Sequence, residues 1–322
     1  MAKYCIGIDL GGTYVKFGLL DERHRLVEVR QLRTPQGAEA VIEQMACGAR
    51  QLIDEHGLAG RDVLGVGIGS PGPLDLDRGI IIAMPNISGM ENTPIRDRVA
   101  EKLSLPAVLD NDANCAAFGE HLCGGGRDGR DMVLLTLGTG VGSGIIVDGK
   151  VLHGAHGVAG EIGHIMVDPG GEQCGCGQRG CLERYCSATF IARWATRLIE
   201  SEGRDGLLAA VLKQSGSINS RDIQQAAAAG DELAMEIWDS AAYYLAVGCI
   251  NICRTLDPHE ILLGGGLANS GDALLAPVRK HFTSLHWKLT GQLTHIDLAQ
   301  LGNDAGAIGA AGLAWAAFGE QA

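Results

Sequence analysis

Along the first third of the chain, apolar residues come in short blocks separated by glycine and charged positions. "YCIGIDL" at 4–10 is closed by Gly11 and Gly12, and "YVKFGLL" at 14–20 and "LVEVRQL" at 26–32 follow it. Blocks of this length predict three strands, the first two joined by a tight turn. From about Ala38 to His56 the period changes. Val41, Ile42, Met45, Ala46, Ala49, Leu52 and Ile53 recur at helical spacing, which predicts an amphipathic helix. "VLGVGIGS" at 63–70 reads as a buried strand, and Pro94 suits the first turn of a helix ending near Leu103. "PAVLDND" at 106–112 is a strand whose end carries Asn111 and Asp112, and "ANCAAFGEHL" at 113–122 is a helix leaving from it.

The middle of the chain opens in the same way, with strands in "MVLLTL" at 132–137 and "SGIIVDG" at 143–149 around a glycine turn. "LGGTYVKFGLLD" at 10–21 and "LGTGVGSGIIVD" at 137–148 have equal length, begin with Leu-Gly and end in a strand closing on Asp. Such a repeat predicts two related halves. After a cysteine-rich segment the chain reads as helical from about Ala188 to Leu256. It returns to a strand in "EILLGGG" at 260–266 and finishes in the alanine-rich helix "NDAGAIGAAGLAWAAF" at 303–318. A chain of 322 residues exceeds what one core usually supports. With no Pro- or Ser-rich linker, two domains with short crossings near residues 120 and 300 are expected. The first is a small α/β domain over 1–119, completed by the C-terminal helix at 303–322. The second is a larger α/β domain over 120–302.

Charge narrows the function classes. The net charge of −12 is spread along the chain, with no basic cluster to track a phosphate backbone, so nucleic acid and anionic membrane are poor partners. "AAYYLAVGCINIC" at 241–253 is too short to span a bilayer and reads as a core helix. The opening "MAKYCIGIDLGGT" has no apolar segment of signal-peptide length. A cytoplasmic protein with its ten cysteines reduced is therefore expected.

Glycine is the compositional outlier: its 48 residues are about twice the usual share of roughly 7%. Three of its turns could hold phosphate: Gly11-Gly12-Thr13, Gly138 to Gly144, and Gly264 to Gly266. None is a GxxxxGK[ST] loop, and none is a GxGxxG opening a helix, which disfavours a Rossmann dehydrogenase. Any one of these turns alone is explained as a tight hairpin. Two matching ones form a clamp, with backbone N–H groups and the hydroxyls of Thr13 and Thr139 turned toward an anion. Asp9, at the end of the first strand, suits a magnesium ion held through water. The stretch "GEIGHIMVDPGGEQCGCGQRGCLERYCS" at 160–187 gathers His164, Cys174, Cys176, Cys181 and Cys186 between Glu161 and Glu183. Redox centre, disulfide knot and metal site are the readings it raises, and a reducing compartment disfavours the knot.

"IDLGGTYVK", "GSPGP", "PNISG", "LDNDANCAA", "LGTGVGSG", "AGEIGH", "CGCGQRGCLE" and "LLGGG" occur in that order up to residue 266. In these motifs the chain resembles the ROK family (repressors, open reading frames and sugar kinases). The resemblance implies the actin-like ATPase fold, of α/β class, in which two ribonuclease-H-like domains flank a cleft for nucleotide and sugar. It implies ATP-dependent phosphorylation of a hexose at the 6-hydroxyl, glucose first. It further implies Asp112 as catalytic base, and Gly72, Asn86, Asn111, Asp112, Glu161, His164 and Glu183 on the sugar. Asp9, Gly11, Gly12, Thr13, Gly138, Thr139, Gly140, Gly265 and Gly266 would serve ATP and Mg2+. His164, Cys174, Cys176 and Cys181 match the family's structural Zn2+ ligands, and one imidazole with three thiolates is a complete tetrahedral set. A homodimer is common in the family. Read alone, Asp112 equally suits a helix N-cap, and Glu161 and Glu183 suit solvated charges.

Other activities within the family stay open. An N-acetylmannosamine or N-acetylglucosamine kinase is the alternative, and Met90, where many glucokinases of the family carry an aromatic residue, leaves the sugar less defined. Sugar-responsive repressors carry a DNA-binding helical region ahead of the first glycine motif, which here begins at Asp9. A catalytically silent sugar-binding protein is a further rival, against which Asp9, Asp112 and the glycine loops speak.

Overall fold

The computed structural model describes residues 2–84, 87–287 and 293–319, so Asn86 lies outside the described residues. Two compact units result: Met1–Asp131 with Gly144–Gly160 and Gln300–Ala322, and Met132–Ser143 with Glu161–Ala299. The first unit thus continues past residue 119 to Asp131 and takes in a second segment.

The first unit is built on β1 (Tyr4–Leu10), β2 (Tyr14–Asp21), β3 (Leu26–Arg33), β4 (Val63–Ser70) and β7 (Ala107–Asn111). The sheet runs in the order β3-β2-β1-β4-β7, antiparallel among the first three and parallel from β1 to β7. A small hairpin, β5 (Leu74–Asp75) and β6 (Ile80–Ile81), was not foreseen, because two-residue strands leave no periodicity to read. Side chains alternate across β1. Ile6, Ile8 and Leu10 enter a core shared with Ile42, Met45 and Leu52 of helix α1 (Ala38–Glu55) and with Val99 of α2 (Ile95–Leu103). Pro94 stands just outside α2, at its N-cap.

Cys5 enters the opposite core, with Ile308, Ala311 and Ala314 of the C-terminal helix, Ala305–Phe318. That helix lies directly on the sheet's backbone. A Cβ on Gly7 would fall 1.8 Å from the Ala307 carbonyl oxygen, and one on Gly67 would fall 1.7 Å from that of Ala310. No residue other than glycine allows this approach. Helix α3 (Asp112–Cys123) packs beside it through Gly309, where a Cβ would meet the Cys115 oxygen at 1.6 Å. Glu120, on α3, is fully buried and accepts the backbone N–H groups of Gly125, Gln300 and Leu301 at 2.7–3.1 Å.

The second five-stranded sheet repeats the first. Its strands are β8 (Met132–Leu137), β9 (Val141–Val147), β10 (Lys150–Val151), β11 (Glu260–Gly264) and β12 (His295–Leu298), in the order β10-β9-β8-β11-β12. β11 runs parallel to both β8 and β12, as β4 does to β1 and β7. The expected duplication is therefore one of topology as well as motif. The helical stretch of the second unit divides into α4 (Glu183–Cys186), α5 (Ala188–Glu202), α6 (Leu207–Ser215), α7 (Ser220–Ala228) and α8 (Glu232–Thr255). Ser187, Asn219 and Asp231 cap α5, α7 and α8 through their side chains. Gly203 and Gly216 end α5 and α6 in the left-handed conformation. The 241–253 run lies inside α8 and buries Leu245, Ala246, Cys249 and Ile252. Helix α9 (Asp272–Leu285) and strand β12 complete the unit, neither read from the sequence. Among the described residues no helix is long and apolar enough to cross a membrane.

Candidate functional site

In the first unit, the expected site residues stand at the ends of regular elements. The β1–β2 turn is stitched by Thr34, whose hydroxyl donates to the Gly11 carbonyl at 2.7 Å and whose N–H donates to that of Thr13 at 2.9 Å. Gly12 and Thr13 are left exposed. Asp9 turns toward the C-terminal helix, where Gly306 makes room for it: a Cβ there would lie 2.7 Å from its carboxylate. Burial, reinforced by the charge of Asp112 and opposed by Lys16, pushes the Asp9 carboxyl up to about 6. The Lys16 ammonium itself donates to the Asn303 carbonyl.

Of the two residues, Asn111 and not Asp112 takes the capping role that the sequence left open. Asn111 is the N-cap of α3, accepting the Ala113 N–H at 2.9 Å and that of Asn114 at 3.4 Å. Asp112 is the first helical residue, and its Oδ1 accepts the Ala113 N–H at 2.8 Å. The capping that Asp112 alone could have explained thus belongs to Asn111. A Cβ on Gly72 would lie 3.8 Å from the Asn111 amide nitrogen, so Gly72 faces the end of that side chain.

Just before them lies a pair that sequence reasoning missed. Asp110 is buried; its Oδ1 accepts the Asn111 N–H at 2.7 Å and the Asn114 amide at 2.9 Å. Its Oδ2 lies 2.7 Å from Nε2 of His153. That bond raises the imidazole above its ordinary range, with burial opposing it. No motif joins two residues 43 positions apart, so only an acid beside the Asn-Asp pair was visible.

In the second unit, the Gly138–Gly140 turn closes on itself through a Gly138 N–H to Gly140 carbonyl bond of 3.0 Å. The start of α5 braces it, Ala188 donating to the Gly138 carbonyl at 2.9 Å. Gly265, at φ 81°, lies against Leu137, the residue before this turn, and a Cβ on it would sit 2.6 Å from the Leu137 oxygen. Gly266 then opens a short 3-10 turn, Gly266–Ser270. Gly138, Thr139, Gly140 and Gly265 are thus gathered at one end of β8.

The cysteine-rich segment wraps round its own side chains. Bridges between Met166 and Cys181 and between Gln173 and Arg179 close it, with a Cys174 N–H to Gln178 carbonyl bond of 2.8 Å at its tip. Ligand atoms of His164, Cys174, Cys176 and Cys181 all lie within 4.8 Å of one another. His164 Nδ1 is 3.6 Å from Cys174 Sγ, and Cys176 Sγ is 3.6 Å from Cys181 Sγ. A tetrahedral zinc with bonds of about 2.0 Å to nitrogen and about 2.3 Å to sulfur needs such spacings, so the donor set fits that ion. Hydrogen bonds from the Gln178 backbone and side chain draw the Cys176 thiol down to about 6, whereas burial pushes the Cys174 and Cys181 thiols up. Cys186 stands apart, buried on α4 with its thiol donating to the Leu182 carbonyl.

The acids of this segment are tied to the same cluster. Glu161 Oε2 is 4.0 Å from Nε2 of His164, the ring nitrogen opposite the one facing Cys174. Cys174 Sγ lies 3.2 Å from Glu183 Oε1. A Cβ on Gly140 would lie 2.8 Å from Glu183 Oε2. Within this unit Glu161 adjoins the ligand cluster through His164, and Glu183 adjoins both the cluster and the glycine turn.

The sequence profile of the ROK family matches residues 5–317. The chain belongs to the ROK family. A glucokinase from Halalkalibacterium halodurans is 39% identical over 310 residues, 95% of this chain and 93% of that protein. Among solved structures, a ROK hexokinase from Thermus thermophilus superposes with a TM-score of 0.83 at 33% identity, covering 99% of this chain and 100% of that one. A ROK family glucokinase from Streptomyces griseus, in complex with glucose and AMPPNP, gives a TM-score of 0.77 at 34% identity, with coverages of 96% and 98%. This ROK chain accordingly has the actin-like ATPase fold, and its two sheets of like order are the halves of that fold.

Proposed function

We propose that this ROK protein is an ATP-dependent glucokinase that phosphorylates the 6-hydroxyl of glucose. The observation that carries the reading is full-length similarity to proteins named glucokinase, joined to an Asp9–Asp112 carboxylate pair at the ends of β1 and β7. Asp112 takes the proton of the sugar hydroxyl as that oxygen bonds to the γ-phosphorus and the bond to ADP breaks. The N–H groups of Gly11 to Thr13 and of Gly138 to Gly140 receive the phosphates, and Gly265 and Gly266 lie along the adenosine. Asp9 would hold a hydrated Mg2+, which would neutralise phosphate charge. Gly72, Asn86, Asn111, Glu161, His164 and Glu183 address the ring hydroxyls. His164, Cys174, Cys176 and Cys181 would hold a structural Zn2+, His164 through the Nδ1 that faces Cys174, which would leave its Nε2–H for Glu161 or the sugar. Loop geometry supports this division, since the two ring nitrogens face Cys174 and Glu161 respectively.

Met90 lends no support to an N-acetylhexosamine substrate, because it is fully buried in the first unit's core. The test is a coupled assay with glucose, mannose, fructose, allose, N-acetylglucosamine and N-acetylmannosamine at matched low concentration. Glucose should show the highest kcat/KM. An N-acetylated sugar ahead of it by tenfold would replace the substrate, and no phosphorylation of any sugar would end the kinase reading.

A further inference from the structure

Three carboxylates crowd one row of the first unit. Strand register sets Asp9 of β1 level with Gly69 of β4, and Gly69 level with Asp110 of β7. Asp112 opens α3 two residues later. Gly69 contributes no side chain to the row, and a Cβ on it would lie 3.0 Å from Cys115 Sγ and 3.8 Å from the Asp112 Cα. Cys115 records the crowding: burial first, then Asp110, Asp9 and Asp112, push its thiol well above the ordinary range. The register puts Asp9 and Asp110 two strand spacings, about 10 Å, apart, and the Asp112 charge helps to raise the Asp9 carboxyl; like charges at one sheet end make each other's ionisation harder. A base, however, must be ionised to accept a proton.

We infer that His153 is a positioning residue for the phosphoryl transfer: paired with Asp110, it neutralises one charge of the row and so keeps Asp112 ionised as the base. The inference rests on the kinase reading for its catalytic meaning and on geometry for its electrostatics. Asp110 is almost closed off, its side chain 6% exposed, and Oδ2 is given to His153 while Oδ1 is occupied by Asn111 and Asn114. The His153 side chain is 39% exposed and lines a cavity of about 940 Å³, so its proton exchanges with solvent. Lys150, His156, Asp75 and Asp77 face the same cavity, and Lys16 faces the row from the Asp9 side. Asp110 raises the His153 imidazole above its usual range, which extends the charged form toward neutral pH.

The signs follow directly. Removing the imidazolium charge leaves Asp110 uncompensated, disfavours the Asp112 anion, and moves the acid limb of kcat/KM to higher pH. Removing the Asp110 charge does the opposite. His153→Gln retains a hydrogen-bonding group without the charge, and Asp110→Asn retains the shape without the carboxylate. The acid limb in His153→Gln should rise by roughly half a pH unit, that in Asp110→Asn should fall, and the double variant should return toward the parent. A carboxyl-carbon NMR titration of Asp112 in the same proteins reads the shifts without relying on turnover. Opposed shifts that cancel in the double variant support the assignment. Shifts in the same direction, or none, would overturn it and reduce His153 to a packing partner. If the NMR shifts appear but no hexose is phosphorylated, the electrostatic pairing stands and the kinase reading is what fails.

Discussion

The two units hold their site residues by different means. In the first, Asp9, Asn111 and Asp112 sit at the ends of strands and at the first turn of a helix. The β1 ladder holds Asp9, the Asn111 side chain caps the start of α3, and Thr34 stitches the neighbouring glycine turn. In the second, Glu161 and His164 lie on a segment with a single short 3-10 turn, Ile162–His164, and Glu183 opens the four-residue helix α4. Four soft side chains and several glycines give the segment its shape. Gly180 shows the constraint: a Cβ there would fall 1.6 Å from the Asp168 oxygen. The first arrangement should survive loss of a functional group, whereas the second should lose its form if the His164–Cys181 cluster is broken.

Three experiments press on that contrast. The largest effect belongs to Asp112→Asn, which keeps the helix start, since Asn111 is the cap, but cannot take the proton. It should lower kcat by about 10² to 10⁴, with sugar and ATP binding by calorimetry nearly unchanged. Near-normal turnover would make the carboxylate dispensable. Next comes Cys176→Ser, which removes one of the four proposed ligands. Purified parent protein should carry one zinc per chain by metal analysis, and the variant should carry less. Its Tm should drop by roughly 5 °C and the glucose KM should rise about tenfold. A variant that loses the metal yet keeps its sugar affinity would separate the cluster from Glu161 and Glu183. The smallest effect is expected from Gly140→Ala, whose methyl group would press on the flexible end of Glu183. A rise of roughly two- to fivefold in glucose KM corresponds to one displaced hydrogen bond, and a change in ATP affinity alone would place Glu183 elsewhere.

The same contrast explains what could be read in advance. The glycine turns were legible because they occur twice, at equal length, each between two apolar runs. Asn111 and Asp112 were legible as an acid-amide pair at a strand's end, although only the structure shows that Asn111 is the one that caps α3. The cysteine cluster was legible because its ligands are neighbours in sequence, from His164 to Cys181. What escaped is long-range or short. The Asp110–His153 pair joins β7 to the segment after β10, and neither residue carries a local pattern. β12, "HIDL", is four residues with only Ile296 buried, so parallel pairing to β11 makes it a strand rather than periodicity. Helix α9 contains Pro277 and follows directly on a glycine-rich turn, which masked it.

The C-terminal helix has a consequence for how the chain is made. Gly7 and Gly67 present bare sheet backbone to residues 307–310, which follow every other element described. During synthesis β1 and β4 leave the ribosome early, with one apolar face still uncovered. At about 5–20 residues per second, roughly ten to forty seconds pass between Asp131 and the last turn of that helix. For that interval the first unit is an open half-sandwich, exposed to chaperones and to other nascent chains. A stall or a rare-codon pause downstream of β7 would prolong that exposure.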